Sequence, residues 1–291
     1  MRSLLFVPAD NPRKLAKAES TSADALVFDL EDAVLPESKP AARKLLAGFL
    51  SVRALGQRAW VRVNEPGSTD LLADLAAVVP LRPRGIVLPK IRGPQDVLVA
   101  SAYLTMAETI HNILPGELRI IAVCTETSEA VLRMSELAAA HLPRLTGLIW
   151  GGEDLSSAIG AVGPRLRDGS WGSVYEHARS QCLLAANALG VLPIDTVFVD
   201  VRDNEGCRAS ALRARADGFG AKIAVHPDQI EIINSAFTPS DAEIAFAHRV
   251  ITAFASGQGA VVIDGKMLDL PHLKAARRLL AAIPDSSSTA A

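Results

Sequence analysis

Eight short apolar runs, separated by seven stretches of helical period or composition, predict a (β/α)8 TIM barrel, an α/β fold, with a C-terminal helix–hairpin–helix extension. Two further observations favour this class. The runs are almost continuously apolar rather than alternating, as parallel strands buried on both faces require. The chain has 291 residues, enough for one such barrel and a short addition.

The expected strands are residues 3–8, 25–31, 59–64, 85–90, 119–126, 145–151, 196–200 and 221–227. Among the segments between them, 39–52 and 128–141 carry apolar residues at three- and four-residue spacing, the mark of an amphipathic helix. A long insertion, 160–190, interrupts the repeat after the sixth strand and opens with the polar loop 163–171. After the eighth strand the chain reads as an extra helix over 239–256, a hairpin over 257–270 and a final helix over 271–282. We therefore expect a catalytic barrel domain over 1–238, an extension over 239–285 that contributes to a neighbouring active site, and a disordered tail at 286–291. A structured piece beyond a complete barrel needs a surface to pack on, either its own barrel mouth or another subunit.

Composition narrows the function. Hydrophobic residues make up 49% of the chain, which excludes a disordered protein. A net charge of -2 gives no reason to expect a nucleic-acid partner. No apolar run reaches the ~18 residues of a membrane span, and Met1 to Pro8 turns polar too soon for a secretory signal. Cys124, Cys182 and Cys207 are odd in number and lack paired spacing, so reduced thiols and a cytoplasmic location are expected.

Functional residues of such barrels stand at the C-terminal ends of strands. Two acidic clusters follow apolar runs there: Thr125-Glu126-Thr127 after the fifth, and Gly151-Gly152-Glu153-Asp154-Leu155 after the sixth. On adjacent parallel strands Glu126 and Asp154 emerge at the same end, and two convergent carboxylates can bind a hard divalent cation with positions left for substrate oxygens. Asp29, Glu31, Asp32, Arg62, Asn64, Lys90, Asp200, Arg202 and His226 complete a ring of polar groups at that mouth. Several buried carboxylates without a cation would raise one another's pKa and destabilise the fold; a metal removes that difficulty.

Other chemistries fit less well. No glycine-rich phosphate loop follows any strand, the six histidines show neither HxH nor HExxH spacing, and GxSxG is absent. Lys90 could form a Schiff base as in metal-free aldolases, but its acidic surroundings favour a charged lysine that pairs with carboxylates.

Arg2-Ser3-Leu4-Leu5-Phe6-Val7-Pro8, Asp29-Leu30-Glu31-Asp32-Ala33-Val34, Arg62-Val63-Asn64, Leu88-Pro89-Lys90, Glu126-Thr127, Gly151-Gly152-Glu153-Asp154-Leu155 and Ile263-Asp264-Gly265-Lys266-Met267-Leu268-Asp269 occur in that order. Together these blocks resemble those of the citrate lyase β-subunit-like family, in the wider HpcH/HpaI aldolase superfamily with its malyl-CoA and citramalyl-CoA lyases. The resemblance covers residues 2–283. It implies a Mg²⁺-dependent barrel that breaks or forms a C–C bond in a β-hydroxyacyl-CoA thioester. It further implies Glu126 and Asp154 as metal ligands, Arg62 as the substrate arginine, and Asp269 as an acid/base delivered by a neighbouring subunit, often within a homotrimer. Asp29-Leu30-Glu31-Asp32 stands where the free-pyruvate aldolases carry a histidine, and Met267-Leu268-Asp269 replaces the more usual Met-Ile-Asp.

The expected reaction is a retro-Claisen cleavage of a citramalyl-, malyl- or citryl-CoA type substrate to a keto acid and acetyl-CoA. Arg62 and Glu126 would contact substrate, and Arg62 and Asp269 would carry catalysis. Asp29, Glu31, Asp32 and Lys90 would stand around them, holding metal-bound waters and Arg62. Arg13, Lys14 and Lys17 after the first strand would meet the CoA phosphates; the alternative is a solvated helix face. Asp269 alternatively caps the final helix. Two rival functions share the barrel: a citrate lyase β-subunit acting on an acyl-carrier thioester, and a catalytically weak CoA-ester-binding paralogue.

Overall fold

The computed structural model describes residues 1–255 and 257–281. Residue 256 and residues 282–291 lie outside the described residues, and with them the expected tail at 286–291 and the expected last residues of the extra and final helices. The chain divides into two compact units, residues 1–235 and residues from 236 onward, against an expected boundary at 238/239.

In the first unit β1 (Ser3–Pro8), β2 (Ala25–Asp29), β3 (Ala59–Arg62), β4 (Gly85–Leu88), β5 (Arg119–Val123), β6 (Leu145–Ile149), β7 (Leu192–Asp195) and β8 (Ala221–Ala224) form a closed barrel. Each strand pairs in parallel with the next, and β8 returns to β1. This is the (β/α)8 architecture the sequence predicts. The helices are α1 (Pro12–Glu19), α2 (Lys39–Ser51), α3 (Thr69–Val78), α4 (Pro94–Ile110), α5 (Ser128–Leu132), α6 (Met134–Ala139), α7 (Gly152–Ala158), α8 (Ser173–Leu189), α9 (Asn204–Asp217) and α10 (Gln229–Phe237). Their starts are written locally. Asn11, Ser68, Thr127 and Asp203 each accept a backbone N–H in the first turn of α1, α3, α5 and α9, a cap worth about 1 kcal/mol apiece.

Leu4, Val27, Trp60, Val87, Ile121, Ile149, Ile194 and Ile223 point inward and fill the barrel, which is a packed core and not a pore. Trp60 supplies much of that volume, and Gly85 makes room for it: a Cβ at Gly85 would lie 2.8 Å from the Trp60 ring and 2.1 Å from the carbonyl oxygen of Arg119.

Three expectations change. The seventh strand is β7, four residues earlier than the expected 196–200. Residues 196–199, Thr-Val-Phe-Val, have the stronger β propensity, but Pro193 and Ile194 hold the ladder by pairing with Leu148 and Ile149. The Pro193 carbonyl accepts from Gly220 at 2.9 Å, so proline costs the ladder only a donor. Most of the expected insertion is α8, the ordinary crossover between β6 and β7; the irregular piece is 159–172, closed by an Arg165–Trp171 bridge. The expected helix over 128–141 divides at Arg133 into α5 and α6.

The second unit holds α11 (Asp241–Phe254), an antiparallel hairpin of β9 (Ala260–Ile263) and β10 (Lys266–Asp269), and α12 (Leu270–Ala281). Ser240 and Glu243 close a reciprocal capping box at the start of α11. Val250, Phe254, Val261, Ile263, Leu268 and Leu273 form its core. The hairpin alternates: Val261 and Leu268 face that core, while the cross-strand neighbours Val262 and Met267 are 71% and 70% exposed.

Candidate active site

Strand register builds the centre. Asp29 and Arg62 are the last residues of β2 and β3 and stand opposite one another in the ladder. Their side chains form a two-point pair, Nε to Oδ1 at 2.8 Å and Nη2 to Oδ2 at 2.6 Å. Asp29 is pinned further by the N–H groups of Glu31 and Ala33, at 2.9 and 3.2 Å. The remaining guanidinium nitrogen, Nη1, lies 3.0 Å from Glu31 Oε2 and 3.9 Å from Asp32. The Phe6 ring lies 4.8 Å from the guanidinium carbon. Burial opposes the charge on Arg62, but Asp29 and Glu31 outweigh it and raise its pKa.

Lys90, just past β4, takes a left-handed conformation with φ of 50° that swings its side chain over the same mouth. Its ammonium pairs with Glu31 and with both oxygens of Asp32 at 3.0 and 2.9 Å, and lies 3.8 Å from Asp154. Burial lowers its pKa, yet the hydrogen bonds to Glu31 and Asp32 prevail and raise it. A lysine held protonated is a poor Schiff-base nucleophile, which favours the carboxylate-pairing reading.

Glu126, three residues past the end of β5 at Val123, is 4% exposed. Its one hydrogen bond among the described residues comes from the Lys90 N–H to Oε2, at 2.5 Å. Burial, then the charges of Asp154 and Glu31, push its pKa up to about 8. Glu31 is raised to about 7, by burial against the opposing pull of Arg62 and Lys90. Asp154 lies on the first turn of α7, with its side chain about a third exposed. Gly151 lets the two carboxylates share the mouth: a Cβ there would lie 2.8 Å from Glu126 Cγ. Thr125 Oγ1 accepts the Gly151 N–H at 2.9 Å and locks the ends of β5 and β6 together.

A cavity of about 80 Å³ opens between these groups, lined by Phe6, Arg62, Glu126, Trp150, Gly151, Asp154 and Thr196 among others. A wider concavity of about 670 Å³, lined by Met1, Asp24, Arg58 and Arg84, lies at the opposite, N-terminal ends of the strands. It gathers no convergent carboxylates, so the chemistry belongs to the smaller cavity.

The donor set suits a hard divalent cation. Glu126 is a buried carboxylate with a raised pKa and no cationic side chain bonded to it, and a neighbouring carboxylate adds to its cost. Among the described residues no group of three or more His, Cys, Asp or Glu side chains is arranged as a metal cage. Two carboxylates with remaining positions for water and substrate is the pattern of Mg²⁺ rather than zinc.

The other expected residues divide. Arg13, Lys14 and Lys17 lie exposed on α1, and none forms an ion pair among the described residues. Asp200 accepts the Arg202 N–H at 2.9 Å within an exposed turn, and both stand away from the cavity. Asp269 ends β10 in the second unit, with its Oδ1 2.6 Å from His272 Nδ1. Missed in the sequence was a buried ionic cluster behind the cavity wall. Asp195 accepts from Trp150 Nε1 at 2.7 Å and from Lys222 Nζ at 2.6 Å, with Arg179 at 3.4 Å. A fully buried lysine inside the apolar run Ala221-Lys222-Ile223-Ala224 was the available signal.

Residues 2–227 match the family described as HpcH/HpaI aldolase/citrate lyase. A (3S)-malyl-CoA thioesterase of Cereibacter sphaeroides is 38% identical over 285 residues, covering 96% of this chain and 93% of its own. The mitochondrial citramalyl-CoA lyase of Rattus norvegicus is 32% identical, covering 96% and 85%. The crystal structure of CitE from Mycobacterium tuberculosis, in complex with magnesium, acetoacetate and coenzyme A, superposes with a TM-score of 0.80 at 35% identity, covering 96% and 97%. The barrel, its carboxylate-lined mouth and these likenesses over nearly the whole length agree: the chain belongs to the HpcH/HpaI aldolase/citrate lyase family.

Proposed function

We propose that the chain is a Mg²⁺-dependent carbon–carbon lyase that cleaves a β-hydroxyacyl-CoA thioester of the malyl, citramalyl or citryl type to a keto acid and acetyl-CoA. The observation that carries this reading is the juxtaposition of Glu126, buried and in no ion pair among the described residues, with Asp154 and the anchored Arg62 around one small cavity. Glu126 and Asp154 would hold the Mg²⁺, which when bound would supply Lewis-acid polarisation of the keto-acid half.

The side chains do the rest. Arg62 is fixed by Asp29 through Nε and Nη2, so its remaining N–H groups are held in place before substrate arrives and its charge offsets negative charge on the thioester oxygen as the C–C bond breaks. Glu31, Asp32 and Lys90 fix the outer edge of the mouth and hold waters there. Trp150, tied to Asp195, walls the cavity against solvent. As the hydroxyl gives its proton to a water at the mouth, its oxygen becomes the keto-acid carbonyl and the C–C electron pair passes to the thioester enolate. Asp269 then gives its proton to the enolate carbon, the O–H bond breaking as the C–H bond forms, and the thioester leaves as acetyl-CoA.

Asp269 acts in this reading from a neighbouring subunit of a homo-oligomer, a trimer by family resemblance. The support is local. Asp269 and Met267, two residues apart on β10, share the hairpin face that exposes Val262 and Met267, and covering that face carries Asp269 with it. The unpaired basic face of Arg13, Lys14 and Lys17 is the proposed phosphate contact for CoA. Three free, buried cysteines accord with a cytoplasmic location, and no described helix is long and apolar enough to cross a membrane.

The test is a panel of malyl-, citramalyl- and citryl-CoA with Mg²⁺ and with chelator, following keto acid and free thiol separately. Keto acid with intact acetyl-CoA supports the lyase. Thiol release without keto acid replaces it with thioester hydrolysis, the activity named for the Cereibacter relative.

A further inference from the structure

We infer that His272 is the positioning residue of Asp269, holding one carboxyl oxygen so that the other meets substrate carbon; this rests on the proposed role of Asp269. Asp269 is the last residue of β10, and His272 lies three residues on, in the first turn of α12. One helical turn brings their side chains together. His272 Nδ1 is 2.6 Å from Asp269 Oδ1, and the Asp269 backbone N–H points at the same nitrogen at the longer 3.2 Å; a protonated Nδ1 cannot accept it, so the two contacts compete. Both side chains are about half exposed, so packing alone does not immobilise either.

A proton has to lie on the short Nδ1–Oδ1 line, since two bare acceptors would repel at that distance. The shorter contact governs: with Nδ1 as donor to Oδ1 the Asp269 N–H turns to solvent, and Oδ2 is left as the atom that exchanges a proton with carbon. The arrangement survives the reaction. When Oδ2 carries the proton, Oδ1 is a carbonyl oxygen and still accepts from Nδ1; when Oδ2 has given it up, Oδ1 is a carboxylate oxygen and accepts more strongly. The imidazole therefore restrains the carboxyl in both states without taking part in the transfer. An acid/base on the end of a solvent-exposed hairpin needs such a restraint, because a misplacement of about 1 Å can cost on the order of 100-fold in rate.

The experiment compares His272→Phe, which keeps a planar ring and removes the donor, with His272→Asn, which returns an N–H near the place of Nδ1. Cleavage of the three acyl-CoA esters is measured beside solvent deuterium exchange into the methyl group of acetyl-CoA, which reads proton transfer at carbon alone. His272→Leu serves as a second donor-free variant, and thermal melting checks each fold. We expect both donor-free variants to lose kcat and exchange by about 10- to 100-fold with KM little changed, and Asn to recover most of the loss. Equal losses in Asn and the donor-free variants make the ring a packing element and overturn the inference, as does full kcat and exchange in Phe or Leu while Asp269→Asn is inactive. An active Asp269→Asn overturns the reading of Asp269 itself. Nitrogen NMR of His272 gives a readout apart from turnover: a ring that exchanges freely between tautomers refutes the donor assignment.

Discussion

Glu126→Gln should make the metal-free protein more stable and the enzyme inactive, and the first effect should depend on pH. Burial and the charges of Asp154 and Glu31 hold the Glu126 carboxyl at about 8, against an ordinary 4.5. Below pH 4.5 folded and unfolded chains both carry the proton, Gln mimics the neutral acid, and the two proteins should melt together. Between 4.5 and about 8 the unfolded chain ionises while the folded chain keeps its proton, so wild-type stability falls as pH rises; above about 8 the loss levels off. At ~1.4 kcal/mol per unit, that displacement sets a ceiling of about 5 kcal/mol. Asp154, partly exposed, relaxes some of it, so we expect the variant to gain roughly 5 °C in Tm at pH 8.5 and nothing near pH 4.5. Melting curves in chelator across that range read the difference directly. Adding Mg²⁺ should then stabilise the wild type and leave Gln unmoved. A Tm difference that ignores pH, equal stabilisation of Gln by Mg²⁺, or turnover within about tenfold of wild type would each remove Glu126 from the metal.

Arg62→Lys keeps the charge and loses the two-point pair with Asp29, so kcat should fall at least about 100-fold; near-full activity would reduce Arg62 to a counter-ion. Gly151→Ala places a Cβ 2.8 Å from Glu126 Cγ, and a crystal structure should show Glu126 displaced, with Mg²⁺ affinity weakened by about tenfold or more; an undisturbed carboxylate would contradict the geometry. Asp269→Asn and Glu126→Gln, each inactive alone, should regain part of the activity when co-assembled, because some sites then pair an intact Glu126 with an intact Asp269. Verified mixed oligomers without recovery would sink the exchange between subunits.

The barrel was legible because each strand is buried on both faces and each helix on one, so hydrophobic period marks most of its elements. The seventh strand escaped because Leu192-Pro193-Ile194-Asp195 looks less like a strand than the Thr-Val-Phe-Val that follows it, and pairing with β6 decides what propensity does not. Site residues were legible where a strand end is followed by charge, as with Asp29, Arg62, Lys90 and Glu126. Lys222 and Asp195 were not, since nothing in a linear sequence shows that a lysine and an aspartate 27 residues apart share one buried pocket. Nor does i, i+3 spacing alone distinguish the Asp269–His272 contact from a helix cap, which Asp269 also resembles at the head of α12.

Sign and order of binding follow from the charges gathered at the barrel mouth. Arg62 and Lys90 face Asp29, Glu31, Asp32, Glu126 and Asp154, so the carboxylates outnumber the cations even when Glu126 keeps its proton. An acyl-CoA brings a carboxylate and phosphates of its own, and like charge in a low-dielectric recess repels it. Under the proposed function the mouth without its cation would therefore disfavour the thioester. A divalent cation would offset that excess, so under the proposed function binding is expected to run in order: metal, then thioester. Initial rates with Mg²⁺ and acyl-CoA varied together should show that order, with free Mg²⁺ setting how much of the enzyme is open to substrate at all. A chain with that order of binding would couple its turnover to the cation supply of its surroundings.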